Sequence, residues 1–257
     1  MKHKILLTGL MLLLGLTISA QQSGTCGENL TWTLENGTLT ISGTGEMENY
    51  QEDNYAPWYS SRSSITSVTI SDGVTSIGNY AFYNCSSMTS VTIPNSVTSI
   101  GERAFFRCSS LTSVTIGNSV TSIEDYAFEW CSSLTSVTIP NSVTSIVEYA
   151  FAWCSSLTSI TCEAVNPPAC GNNVFYNVDK SIPLYVPASS MEAYKEADEW
   201  KEFTNRKPLS AISTSIDVRH QQNASSTRKT VKVLREGVTY ILMPDGRMYD
   251  LQGKEVR

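Results

Sequence analysis

The segment Ile65-Thr66-Ser67-Val68-Thr69-Ile70 is followed by four closely similar copies, and each copy begins 23 residues after the previous one. Between the copies an alanine, a phenylalanine and a cysteine recur at fixed positions. These three columns contain Ala81, Ala104, Ala127 and Ala150; Phe82, Phe105, Phe128 and Phe151; and Cys85, Cys108, Cys131 and Cys154. Constant apolar columns at a fixed period predict a repeat protein in which each unit packs only against its neighbours.

The period indicates the type of repeat. Leucine-rich repeats have periods of about 20–29 residues, so we expect a leucine-rich-repeat solenoid over residues 65–162. Alternation within each copy predicts a strand with its valine and isoleucine inward, paired with the next copy in a parallel ladder. In residues 101–108, Ala104, Phe105 and Cys108 would share the inward face of one or two helical turns. The predicted fold class is therefore an α/β repeat.

The flanking residues divide into caps and a tail. Asn36-Gly37 between two alternating segments predicts a β-hairpin, and residues 21–64 would cover the first coil. Residues 163–204 contain a degenerate repeat and a helix after Pro187, which would cover the last coil. Residues 205–229 are polar and predict a linker, and residues 230–257 predict a small β tail.

Residues 1–20 are typical of a secretory signal peptide. Lys2 and Lys4 precede the apolar run 5–16, and small residues lead to Ala20. This run is too short for a membrane-spanning helix. We expect cleavage, followed by secretion or display at the cell surface, on the exterior of the outer membrane.

The charge balance limits the class of partner. The formal charge is −6, and removal of Lys2 and Lys4 would make it more negative. Nucleic-acid binding needs clustered Lys and Arg, so the charge balance argues against nucleic acid, and we expect no nucleic-acid partner. An anionic membrane surface is disfavoured for the same reason, and the protein would be peripheral to a membrane at most.

The sequence contains seven cysteines, of which four form one repeat column. Parallel side chains in a ladder point the same way, so we interpret this column as small buried apolar residues rather than disulfides. Cys162 and Cys170 would close a short loop at the end of the array and are the candidate disulfide. Cys26 has no obvious partner.

Variation between copies concentrates on the segment after the second strand, where aromatic and arginine side chains flank the constant columns. Such residues dominate interface energetics, although the rings could instead fill gaps between coils. The uniform Ser/Thr face of the strands is a second possible surface. The candidate contact residues are Tyr126, Trp130, Tyr149, Trp153, Arg103 and Arg107 on the variable segment, and Thr92, Thr115 and Thr138 on the strand face.

No arrangement in the sequence indicates catalysis. Without the signal peptide, His220 is the one remaining histidine, and it lies in the polar linker. It cannot complete a catalytic triad within the repeats, and the cysteines lack metal-ligand spacing. We predict no catalytic, cofactor-binding or metal-ligating residues and no enzyme activity.

Several motifs resemble a known family. The repeat motif Gly-Asn-Ser-Val-Thr-Ser-Ile at 117–123, the segment Cys26-Gly-Glu-Asn-Leu-Thr-Trp32 and the segment Leu184-Tyr-Val-Pro187 resemble BspA-like leucine-rich-repeat proteins. Residues 235–257 resemble short C-terminal tails of exported Bacteroidetes proteins.

The resemblance implies a secreted or cell-surface binding module without catalysis. It would be adhesin-like and contact a host matrix protein, another cell or a glycan. The alternative is a structural or self-associating envelope scaffold that has no soluble ligand.

Overall fold

The computed structural model describes residues 21–210 and the strand segments 231–235, 238–242, 248–249 and 255–256. The predicted signal peptide and most of the predicted linker lie outside the described residues. In chain order the strands of the first part are β1 (Gln22–Gly27), β2 (Leu30–Glu35), β3 (Thr38–Gly43), β4 (Gly45–Glu46), β5 (Ser67–Ile70), β6 (Val74–Ile77), β7 (Ser90–Thr92), β8 (Ser99–Ile100), β9 (Ser113–Thr115), β10 (Ser122–Ile123), β11 (Ser136–Ile139), β12 (Ser145–Ile146), β13 (Ser159–Cys162), β14 (Ala169–Cys170), β15 (Leu184–Val186) and β16 (Arg206–Pro208).

These strands build the parallel solenoid predicted from the repeats. A wide sheet has the order β1-β2-β3-β5-β7-β9-β11-β13-β15-β16, and a narrow sheet has the order β14-β12-β10-β8-β6-β4. Equivalent residues of successive copies lie side by side, so Ser90 pairs with Ser67 on one side and with Ser113 on the other. The alternation places Val91 inward and Ser90 and Thr92 outward, as the period-2 pattern predicts.

Each coil has three sides: a strand of the wide sheet, a strand of the narrow sheet and a turn segment. This third side differs from its prediction. Residues 101–108 form consecutive turns rather than helical turns, and Arg103 and Arg107 have positive φ angles of 51° and 58°. The Phe105 N–H donates to the Ala127 carbonyl of the next coil at 2.8 Å, and the Arg107 N–H donates to the Glu129 carbonyl at 2.8 Å. An α-helix would retain these donors for its own i−4 carbonyls. The helical interpretation was wrong because the backbone here bonds between coils.

Stacked phenylalanines fill the interior along the solenoid axis. Ring centroids are 5.1 Å apart from Phe82 to Phe105, 5.0 Å from Phe105 to Phe128 and 5.2 Å from Phe128 to Phe151. These rings are fully buried. Because each ring covers the next, only the two ends of the stack need a cap.

The first end is covered by Trp58, which lies 6.0 Å from Phe82 and donates its indole N–H to the Ala81 carbonyl at 2.8 Å. Trp58 directly precedes a 3-10 helix, Tyr59–Ser64. The predicted hairpin is present as β2 and β3, and Leu34 pairs with Leu39 across it. A further strand that was not predicted from the sequence, β1, pairs antiparallel with the outer side of β2.

The last end is covered by Trp200 and Phe203, each 5.2 Å from Phe175. The predicted helix is short: α1 spans Met191–Glu196, between the 3-10 helices Ala188–Ser190 and Trp200–Glu202. The tail consists of antiparallel β17 (Val231–Arg235), β18 (Val238–Leu242), β19 (Met248–Tyr249) and β20 (Glu255–Val256). Among the described residues, no helix is both long and apolar enough to cross a membrane.

All seven cysteines are free thiols, so the predicted Cys162–Cys170 disulfide is not formed. Cys162 lies in the wide sheet and accepts a hydrogen bond from the Tyr194 hydroxyl at 3.1 Å, whereas Cys170 lies in the narrow sheet. The repeat column is buried, as predicted, but it is not merely apolar. Its Sγ–H groups donate to phenylalanine carbonyls of the preceding coil at 3.2–3.3 Å: Cys108 to Phe82, Cys131 to Phe105 and Cys154 to Phe128.

The buried thiols predict that alkaline pH destabilises the fold. Burial raises the pKa of Cys26 and of Cys85 from 9.0 to about 12, and that of Cys162 to about 11. The folded state keeps these thiols protonated while the unfolded chain releases their protons. Their contribution to stability is therefore complete below pH 9 and lost as pH rises through 11 to 12. Urea unfolding between pH 8 and pH 11 should show a falling free energy of unfolding.

Cys85→Ala provides the matched control. This substitution removes one thiol that, near pH 10.5, is protonated in the folded state and ionised in the unfolded state. The slope of the unfolding free energy against pH should therefore become shallower by about 1 kcal/mol per pH unit at that pH. An unfolding free energy that stays constant from pH 8 to pH 11 would contradict the burial of these thiols.

Candidate ligand-binding ridge

The variable segment has two columns of residues with left-handed backbone, here called the left-handed columns. All ten have φ between 51° and 62°: Tyr80, Arg103, Tyr126, Tyr149 and Asn173 in the first column, and Asn84, Arg107, Trp130, Trp153 and Asn177 in the second. Asparagine tolerates this conformation well, whereas other L-residues lose about 1–2 kcal/mol in it. Backbone preference therefore explains the asparagines but not the tyrosines, arginines and tryptophans.

The aromatic members of these columns stack along the solenoid axis. Trp130 and Trp153 are parallel within 3° at a centroid distance of 4.4 Å, and Tyr126 and Tyr149 are parallel within 6° at 5.3 Å. Each stacked pair contributes about 0.5–1.5 kcal/mol beyond its buried area, which offsets part of the backbone strain. The predicted candidates Tyr126, Trp130, Tyr149 and Trp153 are thus brought together on one side of the solenoid.

Tyr176 packs edge to face against the end of both stacks and was not among the residues predicted from the sequence. Its ring lies 5.6 Å from Trp153 and 6.4 Å from Tyr149, edge to face, and the residue is 50% exposed. Its position in the degenerate repeat could have indicated it, because Tyr176 directly follows Phe175 of the core stack just as Tyr83 directly follows Phe82. The aromatic ridge is defined from here on as Tyr126, Trp130, Tyr149, Trp153 and Tyr176.

Stacking determines which ring surfaces remain open. One face of Trp130 lies against Trp153, and the indole is 38% exposed. A groove of about 320 Å³ lies beside Trp130 and reaches back over the two preceding coils. Its lining residues are Asn84, Arg107, Ser109, Trp130 and Ser132. Because Asn84 and Arg107 precede Trp130 in the same column, the groove lies on the side of the indole opposite Trp153.

The two candidate arginines have different surroundings. Arg103 is engaged: its guanidinium lies 4.5 Å from the centre of the Tyr126 ring, donates to the Tyr80 hydroxyl and pairs with Glu102. Arg107 is exposed and lies 5.2 Å from the centre of the Phe106 ring. Within residues 21–210, no carboxylate lies within 4.0 Å of the Arg107 guanidinium. Arg107 is therefore available to a ligand, whereas Arg103 holds the columns together.

One acidic group modifies the charge of this region. Burial raises the pKa of Glu129, and the positive charges of Arg103 and Arg107 counteract part of the rise. Glu129 thus sits within the electrostatic reach of both arginines without forming an ion pair with Arg107. Arg107 keeps its full positive charge at the groove.

The predicted threonines lie on a different side. Thr92, Thr115 and Thr138 are exposed on the wide sheet, and Thr92 and Thr115 border a groove of about 600 Å³. A neighbouring threonine column is already engaged, since the Thr135 hydroxyl donates to the Thr112 carbonyl at 3.1 Å. The structure therefore does not bring the strand-face candidates together with the ring candidates.

The described residues offer little for metal or nucleophilic chemistry. Among residues 21–210 there is no group of three or more His, Cys, Asp and Glu side chains that could hold a metal ion. Burial raises the pKa values of the repeat-column thiols, which keeps them protonated at neutral pH. A protonated buried thiol is a poor nucleophile.

Comparisons with known proteins agree with this architecture. The family profile described as BspA type Leucine rich repeat region matches residues 56–215 with six copies. A leucine-rich repeat protein from Eubacterium ventriosum ATCC 27560 is 30% identical, with a TM-score of 0.56, and the match covers 66% of this chain and 45% of that one. The comparison with curated proteins found no match.

Two further solved structures are similar at lower identity. A leucine-rich repeat protein from Bacteroides ovatus ATCC 8483 is 23% identical with a TM-score of 0.43, covering 66% of this chain and 42% of that one. A leucine rich cell surface protein from Faecalibacterium prausnitzii A2-165 is 23% identical with a TM-score of 0.43, covering 90% and 61%. The chain thus spans about half the length of these relatives. The profile match over most of the solenoid, together with the observed coils, shows that this chain belongs to the BspA-type leucine-rich-repeat family.

Proposed function

We propose that this chain is a secreted or surface-displayed binding module, adhesin-like, which contacts a host matrix protein, another cell or a glycan through the aromatic ridge. Family membership and a solved neighbour described as a cell surface protein support a location outside the cell. The observation that carries the proposal is the exposure of Trp130 and Tyr176 on a surface otherwise rich in serine and threonine.

The energetics of the ridge favour binding. Trp and Tyr dominate interface hot spots because they bury much area and lose little conformational entropy. Stacking against Trp153 already fixes the Trp130 ring, so a ligand would not need to order it. The ridge is thus a preorganised surface held by a rigid solenoid.

The strand face is a weaker candidate. Its outward residues are serine and threonine, which are under-represented among hot spots. Thr92, Thr115 and Thr138 also repeat the same chemistry at every coil, so this face offers little to distinguish one partner from another. We therefore place the main contact on the ridge and not on the wide sheet.

An adhesion assay tests this placement. Mature protein on beads is measured against immobilised matrix proteins, whole bacteria and a glycan array. Trp130→Asn combined with Trp153→Asn should lower binding to the best ligand at least tenfold, because two hot-spot rings are removed. Asparagine is chosen because it suits the left-handed backbone at both positions.

The matched control combines Thr92→Ala, Thr115→Ala and Thr138→Ala on the wide sheet and should retain binding. Loss of binding in this control, with retention in the tryptophan variant, would transfer the function to the strand face. Concentration-dependent assembly in light scattering without any ligand would instead support the scaffold alternative.

A stability measurement tests whether the ridge is separable from the fold. Trp130→Asn removes a stacking interaction of about 0.5–1.5 kcal/mol together with the burial of the indole against Trp153, and it relieves a backbone strain of about 1–2 kcal/mol. Its free energy of unfolding in urea should therefore fall by less than about 2 kcal/mol, because the relieved strain offsets part of the lost stacking and burial. Nearby Phe128→Ala, in the core stack, should lose about 3–5 kcal/mol. A loss above about 2 kcal/mol for Trp130→Asn would show that the ring is needed for the fold.

A further inference from the structure

We infer that the groove beside Trp130 is a subsite for a pyranose that carries a carboxylate, such as a uronic or sialic acid residue. This inference rests on the proposed function and specifies the chemistry of the ligand. It follows from one open ring face, one available guanidinium and three backbone N–H groups at the groove that already donate within the solenoid.

The open ring face comes from a break in the stack. Trp153 continues the column on one side of Trp130 at 4.4 Å. On the other side the next member is Arg107, whose guanidinium lies over Phe106, 5.2 Å from its ring centre. The groove is lined by Trp130 and by the two column members that precede it, Arg107 and Asn84. A planar or flat ligand group can therefore continue the stack on Trp130.

The rim of the groove is polar. The Asn84 amide and the Ser109 and Ser132 hydroxyls border it, and the volume of about 320 Å³ lies at the lower end of small-ligand sites. A pyranose presents an apolar C–H face to an aromatic ring and hydroxyl groups around its edge. Amide and hydroxyl side chains can both donate to and accept from such hydroxyls.

The charge at the rim selects an anionic sugar. Arg107 has no carboxylate within 4.0 Å among residues 21–210, and its planar guanidinium can form two parallel hydrogen bonds with a carboxylate. The partly buried Glu129 lies within electrostatic reach of Arg107 without forming an ion pair with it. A carboxylate on the stacked sugar would supply the partner that the protein itself does not provide.

The backbone around the groove disfavours an extended peptide. Peptides that add to a sheet need free main-chain donors and acceptors. Here the N–H groups of Asn84, Arg107 and Trp130 already donate to carbonyls of the following coil at 2.7, 2.8 and 3.0 Å. The groove therefore offers side chains and one ring face, which suits a sugar better than a strand.

The test uses three acidic oligosaccharides: trigalacturonate, a hyaluronan tetrasaccharide and 3′-sialyllactose. Each is compared with its carboxyl methyl ester, which keeps the sugar shape and removes the charge. Binding to the mature protein is followed by titration of the tryptophan indole N–H signals in NMR. We expect at least one acid to bind at least tenfold more tightly than its ester.

Two variants distinguish the stacking contact from the charge contact. Trp130→Asn should abolish binding of acid and ester alike, whereas Arg107→Gln should lower the affinity for the acid to that of the ester. Lys195→Gln removes the same charge on α1, away from the groove, and should keep the preference for the acid.

Binding of none of the three acids, or an acid preference that survives in Arg107→Gln, would overturn the inference. If acids fail to bind while bead adhesion still depends on Trp130 and Trp153, the proposed function stands with a ligand of another class. If the acids fail to bind and bead adhesion does not depend on Trp130 and Trp153, the ridge is not a binding surface.

Discussion

The register of each coil on the next is the constraint on which this structure depends. Equivalent residues pair at a spacing of 23 on the wide sheet, as Ser90 does with Ser113, and the Phe105 N–H reaches Ala127 on the third side. Because backbone bonds cross between coils on every side, a side chain at a given position meets its own copy. Identical neighbours favour stacked phenylalanines and thiols that donate to carbonyls, and these columns consequently vary little along the chain.

The same register produces the candidate site. The turns on the third side contain left-handed residues at two positions of each coil, as at Tyr126 and Trp130. These residues project beside the core rather than into it, and their copies also lie one above another. Aromatic side chains there stack into a rigid ridge whose faces are covered except where the column changes to Arg107. A repeat built for stability thereby supports a local, non-repeating surface.

Sequence reasoning recovered the parts governed by period and polarity: the coils, the inward columns and the hairpin around Asn36. It failed where hydrogen bonds decide the conformation. Ala104, Phe105 and Cys108 have the spacing of a helical face, but their segment bonds to the next coil. Cys162 and Cys170 are near in sequence, yet they belong to different sheets. Arg103 is engaged and Arg107 is available because, of the two, only Arg103 contacts Tyr80 and Glu102 among the described residues. These contacts cannot be read from the repeat alignment alone.

Removal of one coil tests the central role of register most directly. Deletion of residues 115–137 takes out 23 residues and joins Val114 to Thr138, so every later column keeps its place. Deletion of residues 115–126 takes out 12 residues, including β10, so the narrow sheet loses a strand and the shortened coil cannot close. Far-UV circular dichroism with urea unfolding should show a cooperative β-sheet transition for the first variant and none for the second. Equal cooperativity of the two variants would contradict the account.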